Sequence, residues 1–171
     1  MKWLMNRTTR AATGLCFVLA LAVTASARQW RGITPLHSTR DNVRQLLGKP
    51  IVETGISDTY DLEEGRATVM YARGPCEQGL PSDWGNWKVP RGTVVNITIA
   101  VAQEIRLSSL KTRNIERNKW YTGDSGATYY RLKRAGIEYQ VQQGKITGIT
   151  FGPTLKDRYL LCRKNVPEMK Y

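Results

Sequence analysis

The stretch Gly136–Phe151, GIEYQVQQGKITGITF, carries the strongest structural signal in this sequence. In its first half, apolar Ile137, Tyr139 and Val141 alternate with charged or amide side chains, which is the period-two pattern of a strand that buries one face. A Gln-Gly dipeptide then interrupts the alternation, and glycine favours a turn there because it adopts a positive φ without steric cost. We therefore predict that the stretch forms an antiparallel β-hairpin.

More strands are predicted on the N-terminal side of this hairpin. The segment 129–134 precedes it through Ala135-Gly136, so the three strands together form a meander. A second hairpin is predicted around Glu63-Glu64-Gly65-Arg66, because Gly65 provides the positive φ of a tight connection between two strand-like segments. In all, we predict strands at 56–62, 67–72, 93–101, 129–134, 136–142 and 145–151.

One helix is predicted before the first strand. Ser38 is expected to cap it, with Asp41 three residues later completing a capping box and favouring the positive end of the helix dipole. Apolar residues recur at helical spacing until Gly48, which suits the left-handed position after a last turn, and Pro50 prevents continuation. The expected fold class is α+β, with one short N-terminal helix packed on a curved antiparallel β-sheet of five or six strands.

The first 27 residues have the pattern of a secretory signal peptide. Three basic residues precede the apolar run Ala11–Val23, and Ala25-Ser26-Ala27 supplies a small-x-small cleavage pattern. The run has about 13 residues, whereas a membrane-spanning helix needs roughly 20, so no transmembrane helix is expected after cleavage. Lipidation at Cys16 is disfavoured because bulky Leu15 precedes it. We expect residues 1–27 to be removed and the protein to be periplasmic or secreted.

Cleavage would leave a single α+β domain at 28–162 and a polar, flexible tail at 163–171. Only Cys76 and Cys162 would remain of the three cysteines. In an oxidising compartment such a pair is most simply a disulfide. A redox-active pair requires cysteines close in sequence, as in Cys-x-x-Cys, and these two are far apart. We therefore predict a structural disulfide.

The chain is strongly basic, with 26 Lys and Arg against 14 Asp and Glu and a formal net charge of +12. Without the signal peptide, which holds three basic residues and no acidic one, the net charge is about +9. A positive field favours anionic partners. For an exported protein we expect an envelope protein or an anionic lipid or polysaccharide surface, and not nucleic acid. The alternative is that the charge only keeps the domain soluble.

Two tryptophans and two basic residues are the candidate binding residues. Trp84 and Trp87 lie in the Gly- and Pro-rich segment 73–92, where they provide either a stacking platform or, alternatively, rings that fold back into the core. Arg131 and Lys133 are expected to share one face of a strand and form part of an anionic-surface patch, although such charges are also common on solvated faces. Trp30, Trp120 and Tyr121 are expected in core or rim packing.

No catalytic constellation is present in the sequence. His37 is the one histidine, and it precedes the predicted helix without a nucleophile at a recognisable spacing. The acidic residues Asp58, Asp61, Glu63 and Glu64 lack the spacing of a calcium loop. We therefore predict no catalytic residue, no metal site and no cofactor.

The segment Pro35–Pro50, PLHSTRDNVRQLLGKP, resembles the helix-and-turn signature of the BamE/SmpA-type small outer-membrane assembly lipoproteins. The shared pattern is a capped start, an acidic residue, Val43, a Leu pair and Gly48-x-Pro50, followed by a β-meander. This resemblance implies a small α+β envelope module. The chain departs from the family because it lacks the lipid-accepting cysteine, so no residue role is transferred. The longer run Trp30–Cys162 is similar to a group of uncharacterised secreted bacterial proteins.

Three functional hypotheses follow from the sequence. The first is a non-catalytic secreted or cell-envelope module that binds a protein partner or an anionic surface. The second is a hydrolase or lyase of anionic polysaccharide, which requires a cleft with two acidic groups of raised pKa. The third is a purely structural envelope protein, which requires no binding site.

Overall fold

The computed structural model describes residues 29–77, 86–110, 115–123 and 126–162. The predicted signal peptide at 1–27 and the predicted tail at 163–171 lie outside these residues, and both remain predictions. Within the described part, the protein forms one antiparallel sheet of eight strands and one α-helix. The helix is α1, Arg40–Leu47, and three short 3₁₀ helices lie at Leu107–Ser109, Ile115–Asn118 and Leu155–Leu160.

The eight strands are ordered β1-β2-β3-β4-β8-β7-β6-β5 across the sheet, and all neighbouring pairs are antiparallel. Central β4 therefore joins the N-terminal hairpin to the C-terminal meander by pairing with β8. The strands are β1 Val52–Glu53, β2 Ser57–Leu62, β3 Gly65–Tyr71, β4 Val94–Arg106, β5 Lys119–Thr122, β6 Thr128–Leu132, β7 Ile137–Gln142 and β8 Lys145–Phe151.

The predicted architecture, a helix packed on a sheet of five or six strands, is wrong in its proportions. The sheet has eight strands and dominates the described chain, and the eight-residue helix packs only on the N-terminal half of it. The two missed strands are the edges, β1 and β5, with two and four residues. Strands this short show no readable alternation, because a period of two needs several residues to become visible.

The helix begins one residue later than predicted. Thr39 is the N-cap, and it exchanges hydrogen bonds with Asn42, whose Oδ1 accepts from the Thr39 backbone N–H at 2.9 Å. Ser38 is buried instead, and its Oγ accepts from the backbone N–H of Thr34 at 2.9 Å. The predicted cap of Ser38 with Asp41 is therefore wrong. At the other end, Gly48 has a positive φ of +81°, but its ψ of −150° lies outside the predicted left-handed conformation.

The hairpin between β2 and β3 is present as predicted, and its glycine has a second constraint. Gly65 has a φ of +136°, and a Cβ at this position would lie 2.0 Å from the backbone oxygen of Ala100. The closeness arises because Gly65 pairs with Val101 on β4. Glycine is therefore required both by the backbone conformation and by the close approach of the next strand.

The two faces of the sheet carry different side chains, and α1 packs on one of them. Cross-strand pairing places Val69, Ile97 and Phe151 in one row, and α1 packs on this side, which we call the inner face. Residues at alternate positions, such as Thr98 and Glu138, lie on the opposite side, which we call the outer face. The predicted inward positions of the meander, Ile137, Tyr139 and Val141, are all buried on the inner face.

Cys76 and Cys162 form the predicted disulfide, with their Cα atoms 5.7 Å apart. The segment around Trp87 lies between the two cysteines. The Cys76 backbone N–H donates to the carbonyl of Trp87 at 2.9 Å, and the Cys162 backbone N–H donates to the carbonyl of Asn86 at 3.0 Å. The bond therefore joins the end of the described chain to the segment that follows β3.

Candidate binding surface

Trp87 is not on the surface. Its side chain is only 7% exposed and packs in a core cluster with Leu36, Val89 and Val95. No described group accepts a hydrogen bond from its indole N–H. This placement corresponds to the alternative in which the ring fills the core. Its predicted companion, Trp84, lies outside the described residues.

Replacing Trp87 by alanine is expected to lower the free energy of unfolding by about 3 kcal/mol, because truncation of a buried aromatic ring leaves a cavity. Trp87→Phe should lose less than about 1.5 kcal/mol, since it keeps a ring and removes an N–H that lacks a partner. Urea unfolding measures both. Tyr159→Ala, at a ring that is 70% exposed, is the control, and equal stability of Trp87→Ala and this control would contradict the core assignment.

Arg131 and Lys133 do not lie on a common strand face. β6 ends at Leu132, so Lys133 follows the strand and is exposed there. Arg131 lies on the outer face with its side chain only 10% exposed, and its Nη2 is 2.5 Å from Oε2 of Glu138. Arg131 therefore forms an ion pair with Glu138 of the neighbouring strand and does not belong to a solvated patch of basic residues.

Trp120 completes this pair and defines a different candidate surface. The indole N–H donates to Oε2 of Glu138 at 2.9 Å, and the Arg131 guanidinium carbon lies 3.9 Å from the centroid of the indole ring. The indole is held by both contacts yet remains 43% exposed. A large ring that is fixed in place and open to solvent loses little conformational freedom when a ligand binds to it.

Two tyrosines extend the ring system, of which Tyr121 is exposed and Tyr129 is partly buried. Tyr121 is 50% exposed, and its ring centroid lies 6.0 Å from that of Trp120 and 5.7 Å from that of Tyr129 on β6. These are ordinary distances for aromatic pairs in contact. We call Trp120, Tyr121, Tyr129, Arg131 and Glu138 the aromatic surface.

A β-bulge in the edge strand makes this surface. Lys119 pairs with Tyr130, but Tyr121 pairs with Tyr129, so two steps along β5 match one step along β6. Trp120 is the additional residue, and in a regular strand it would face away from Tyr121. The bulge instead lets both rings lie on the outer face. Trp120 and Tyr121 therefore lie at the rim of the sheet and not in its core.

A second polar cluster lies on the inner face, beneath α1. Asp58 of β2 is completely buried, and its carboxylate accepts hydrogen bonds from Arg40 Nε at 2.9 Å and from the Tyr71 hydroxyl at 3.0 Å. The Arg40 guanidinium carbon also lies 4.8 Å from the centroid of the Tyr71 ring. Nearby, the buried Tyr60 hydroxyl has no hydrogen-bond partner among the described residues.

The electrostatics of this cluster keep Asp58 ionised. Burial alone would raise the pKa of Asp58, but the hydrogen bonds from Arg40 and Tyr71 outweigh it, so the pKa lies below its ordinary value. Burial and the hydrogen bond to Asp58 raise the pKa of Tyr71. Pairing of this kind stabilises the charged form of a buried carboxylate and lowers its pKa, whereas a general acid needs a raised pKa. The cluster is therefore suited to holding α1 on the sheet.

The remaining buried carboxylate belongs to a cap. Asp157 accepts from the backbone N–H of Thr154 at 2.7 Å, and its other oxygen is 3.1 Å from Nε2 of His37. Asp58 and Glu138 lie on opposite faces of the sheet, because Asp58 aligns with Ile137 through its cross-strand partners. These two carboxylates therefore do not face a common cleft.

The acidic residues of the first hairpin are dispersed by pairing. Asp61 bonds to Arg66 and Glu64 to Arg31, each through a carboxylate oxygen within 3.0 Å of the guanidinium, while Asp58 is buried beneath α1. Within the described ranges no group of three or more His, Cys, Asp or Glu is placed to hold a metal ion.

No protein-family model, curated protein or solved structure matches this chain. The resemblance of Pro35–Pro50 to the BamE/SmpA-type lipoproteins remains a hypothesis. In the part of the chain that the structure describes, no helix is long and apolar enough to cross a bilayer.

Proposed function

We propose that this chain is a non-catalytic secreted or cell-envelope module that binds an envelope protein or an anionic lipid or polysaccharide surface through its aromatic surface. The observation that carries the proposal is the pair of exposed, adjacent rings of Trp120 and Tyr121, the first held by Arg131 and Glu138. Exposed aromatic rings with fixed orientation are typical of binding sites, because they supply large contact area at low entropic cost.

Two features support export. The N-terminal sequence has the basic, apolar and small-x-small regions of a signal peptide. Independently, Cys76 and Cys162 lie at bonding distance, and structural disulfides of this kind persist mainly in oxidising compartments. Both features fit a periplasmic or secreted protein.

The state of the carboxylates favours binding over catalysis. Asp58 is held by Arg40 and Tyr71, and Glu138 is held by Arg131 and Trp120. The second hypothesis, a carboxylate-based hydrolase or lyase, requires two acidic groups in one cleft with a raised pKa, and the Asp58 pKa is lowered instead. The specific observations therefore favour a binding role.

The proposal is tested by retention of envelope material on the immobilised, oxidised protein. Trp120→Ala/Tyr121→Ala should retain much less material than the unchanged protein, because both exposed rings are removed. Tyr121→Ala alone, which leaves the Trp120–Glu138 bond in place, should give an intermediate result. Tyr159→Ala is the matched control, since it removes an exposed ring outside the aromatic surface.

Retention measured at two salt concentrations separates the contribution of charge from that of ring contacts. Material held by charge alone is released at high salt because ionic contacts between exposed groups are screened, whereas material held by ring contacts is retained. Thermal unfolding of each variant confirms that the fold persists. Equal retention by the double variant and by Tyr159→Ala, at both salt concentrations, would exclude the aromatic surface as the binding site.

A further inference from the structure

The aromatic surface is an extended track. The rings of Trp120, Tyr121 and Tyr129 are in series, with centroid separations of 6.0 Å and 5.7 Å. They cross from the edge strand β5 to β6 along the outer face. One side of the indole is covered by Arg131. The Trp120 and Tyr121 rings are exposed, and Tyr129 is partly buried. A ligand with repeated ring-sized units fits such a track better than a single small molecule does.

Polar groups border the rings on the sheet side. Gln140 pairs with Tyr129 on one neighbouring strand and with Gly148 on the other. Its side chain lies over Gly148, where a Cβ would come within 3.1 Å of the amide oxygen. The Arg131–Glu138 pair lies beside Trp120. Pyranose rings need this combination, since their C–H faces stack on aromatic rings while their hydroxyls require nearby hydrogen-bond donors and acceptors.

The charge of this region is positive. Residues 126–151 carry four basic side chains and one acidic one; of the basic side chains, Arg131 is paired with Glu138 and Lys145 with Glu104 of β4. Lys133 and Arg134, which follow β6, are both exposed, whereas Lys119 pairs with the inner-face residue Tyr130 and therefore lies on the other side of β5. A region with this balance attracts a ligand that carries negative groups at intervals along its length.

The exposed aliphatic side chains that an apolar protein partner would contact lie away from the aromatic surface. The most exposed aliphatic side chains of the described chain are Leu46, Ile51 and Val52, each more than half exposed. Val52 lies on β1, which is the opposite edge of the sheet from β5. The neighbours of the aromatic surface on the outer face, Gln140 and Thr150, are polar.

We propose that the aromatic surface binds an acidic polysaccharide, with pyranose rings stacked on Trp120 and Tyr121 and anionic groups near Lys133 and Arg134. This inference rests on the proposed function and names its ligand class. Stacking supplies the selectivity for sugar rings, and the two basic residues supply the preference for negative charge. Each contribution is removed by a different substitution.

The test measures binding of the purified, oxidised protein to four probes by titration calorimetry or affinity electrophoresis. Polygalacturonate carries both pyranose rings and charge, dextran carries rings alone, polyphosphate carries charge alone, and phosphatidylglycerol vesicles present an anionic lipid surface. We expect polygalacturonate to bind most tightly. Trp120→Ala/Tyr121→Ala should weaken that binding about tenfold or more while changing polyphosphate binding little.

The charge contribution has its own matched pair of variants. Lys133→Gln/Arg134→Gln should weaken polygalacturonate binding several-fold and reduce its dependence on salt. Lys49→Gln/Lys88→Gln makes the same change of charge at exposed positions outside the aromatic surface, and it should have a much smaller effect. Tyr159→Ala again controls for loss of an exposed ring.

Four outcomes would overturn the inference. Polyphosphate binding as tight as polygalacturonate binding, with both unaffected by Trp120→Ala/Tyr121→Ala, would reduce the interaction to charge. Preferential binding to the vesicles would assign the surface to a lipid. If no carbohydrate binds while the same variant still loses envelope material, the proposed function stands and the ligand class is wrong. If Trp120→Ala/Tyr121→Ala changes neither carbohydrate binding nor retention of envelope material, both proposals are rejected.

Discussion

Replacing Asp58 by asparagine is expected to lower the free energy of unfolding at neutral pH by about 3 kcal/mol, the lower end of the range for breaking a buried ion pair. Asparagine keeps the shape of the side chain, but it leaves the Arg40 guanidinium without its buried counter-charge. The loss is not larger because the Arg40 side chain is 22% exposed and lies 3.8 Å from Glu53. Urea unfolding at pH 7 measures the difference.

The same substitution should change the response to acid. The pKa of Asp58 is lower in the folded protein than in the unfolded chain. The stability it contributes is therefore complete above the unfolded pKa and is lost as pH falls through the folded pKa. Asp58→Asn removes this group, so its unfolding free energy should decline less between neutral and acidic pH.

Asp61→Asn is the matched control, because Asp61 is on the same strand and pairs with Arg66 at the surface. Exposed pairs contribute little, so this variant should remain within about 0.5 kcal/mol of the unchanged protein. Indistinguishable stability and acid sensitivity of the two variants would show that the buried carboxylate does not hold α1 on the sheet.

The elements that the sequence predicts well are those that depend on local pattern. The meander at 129–151 is recognised because several alternating residues repeat on one face, and the β2–β3 turn because Gly65 must take a positive φ. The helix is recognised from its apolar spacing and Gly48, although the cap is misplaced by one residue. Thr39 and Ser38 are equally good caps in sequence, and only the burial of Ser38 against Thr34 decides between them.

The candidate surface is not predictable from the same rules. The Gly- and Pro-rich segment around Trp87 leaves both exposure and core packing open in the sequence, and the chain beyond the sheet decides for the core because Leu160 and Leu161 pack on the same cluster. For Trp120 the sequence predicts core or rim packing, and the bulge next to Tyr121 places its ring on the outer face. A bulge shifts the phase of alternation by one residue, and nothing in the four residues of β5 signals that shift.

The Asp58 cluster was missed for a related reason. An acidic residue near a predicted turn is usually solvated, so sequence pattern assigns it to the surface. Its burial is possible because Arg40 lies 18 positions away in the sequence and reaches it from α1, while Tyr71 reaches it from β3. Only the packing of the helix on the sheet brings these groups together.

Removal of the Cys76–Cys162 disulfide is expected to lower the free energy of unfolding by about 4.5 kcal/mol, on the loop-closure argument that a cross-link restricts the unfolded chain. The two residues are separated by 86 positions, which places the effect near the upper end for single disulfides. Urea unfolding of Cys76→Ala/Cys162→Ala measures the loss. A reducing agent should destabilise the unchanged protein and leave the variant unaffected.

A second variant tests how the backbone conformation of residue 76 in the folded protein affects the free energy of unfolding. Cys76 has a positive φ of +57°, which disfavours a side chain by about 1 kcal/mol and does not disfavour glycine. Cys76→Gly/Cys162→Ala should therefore be more stable than the double alanine variant by up to about 1 kcal/mol, even though both lack the bond. The hydrogen bond from Lys88 N–H to the Leu160 carbonyl, 2.7 Å long, still holds the last segment beside Trp87 in each variant.

If reduction leaves the unfolding transition of the unchanged protein where it was, the disulfide does not restrain the unfolded chain. The cross-link between two cysteines 86 positions apart then contributes nothing to the stability of the fold.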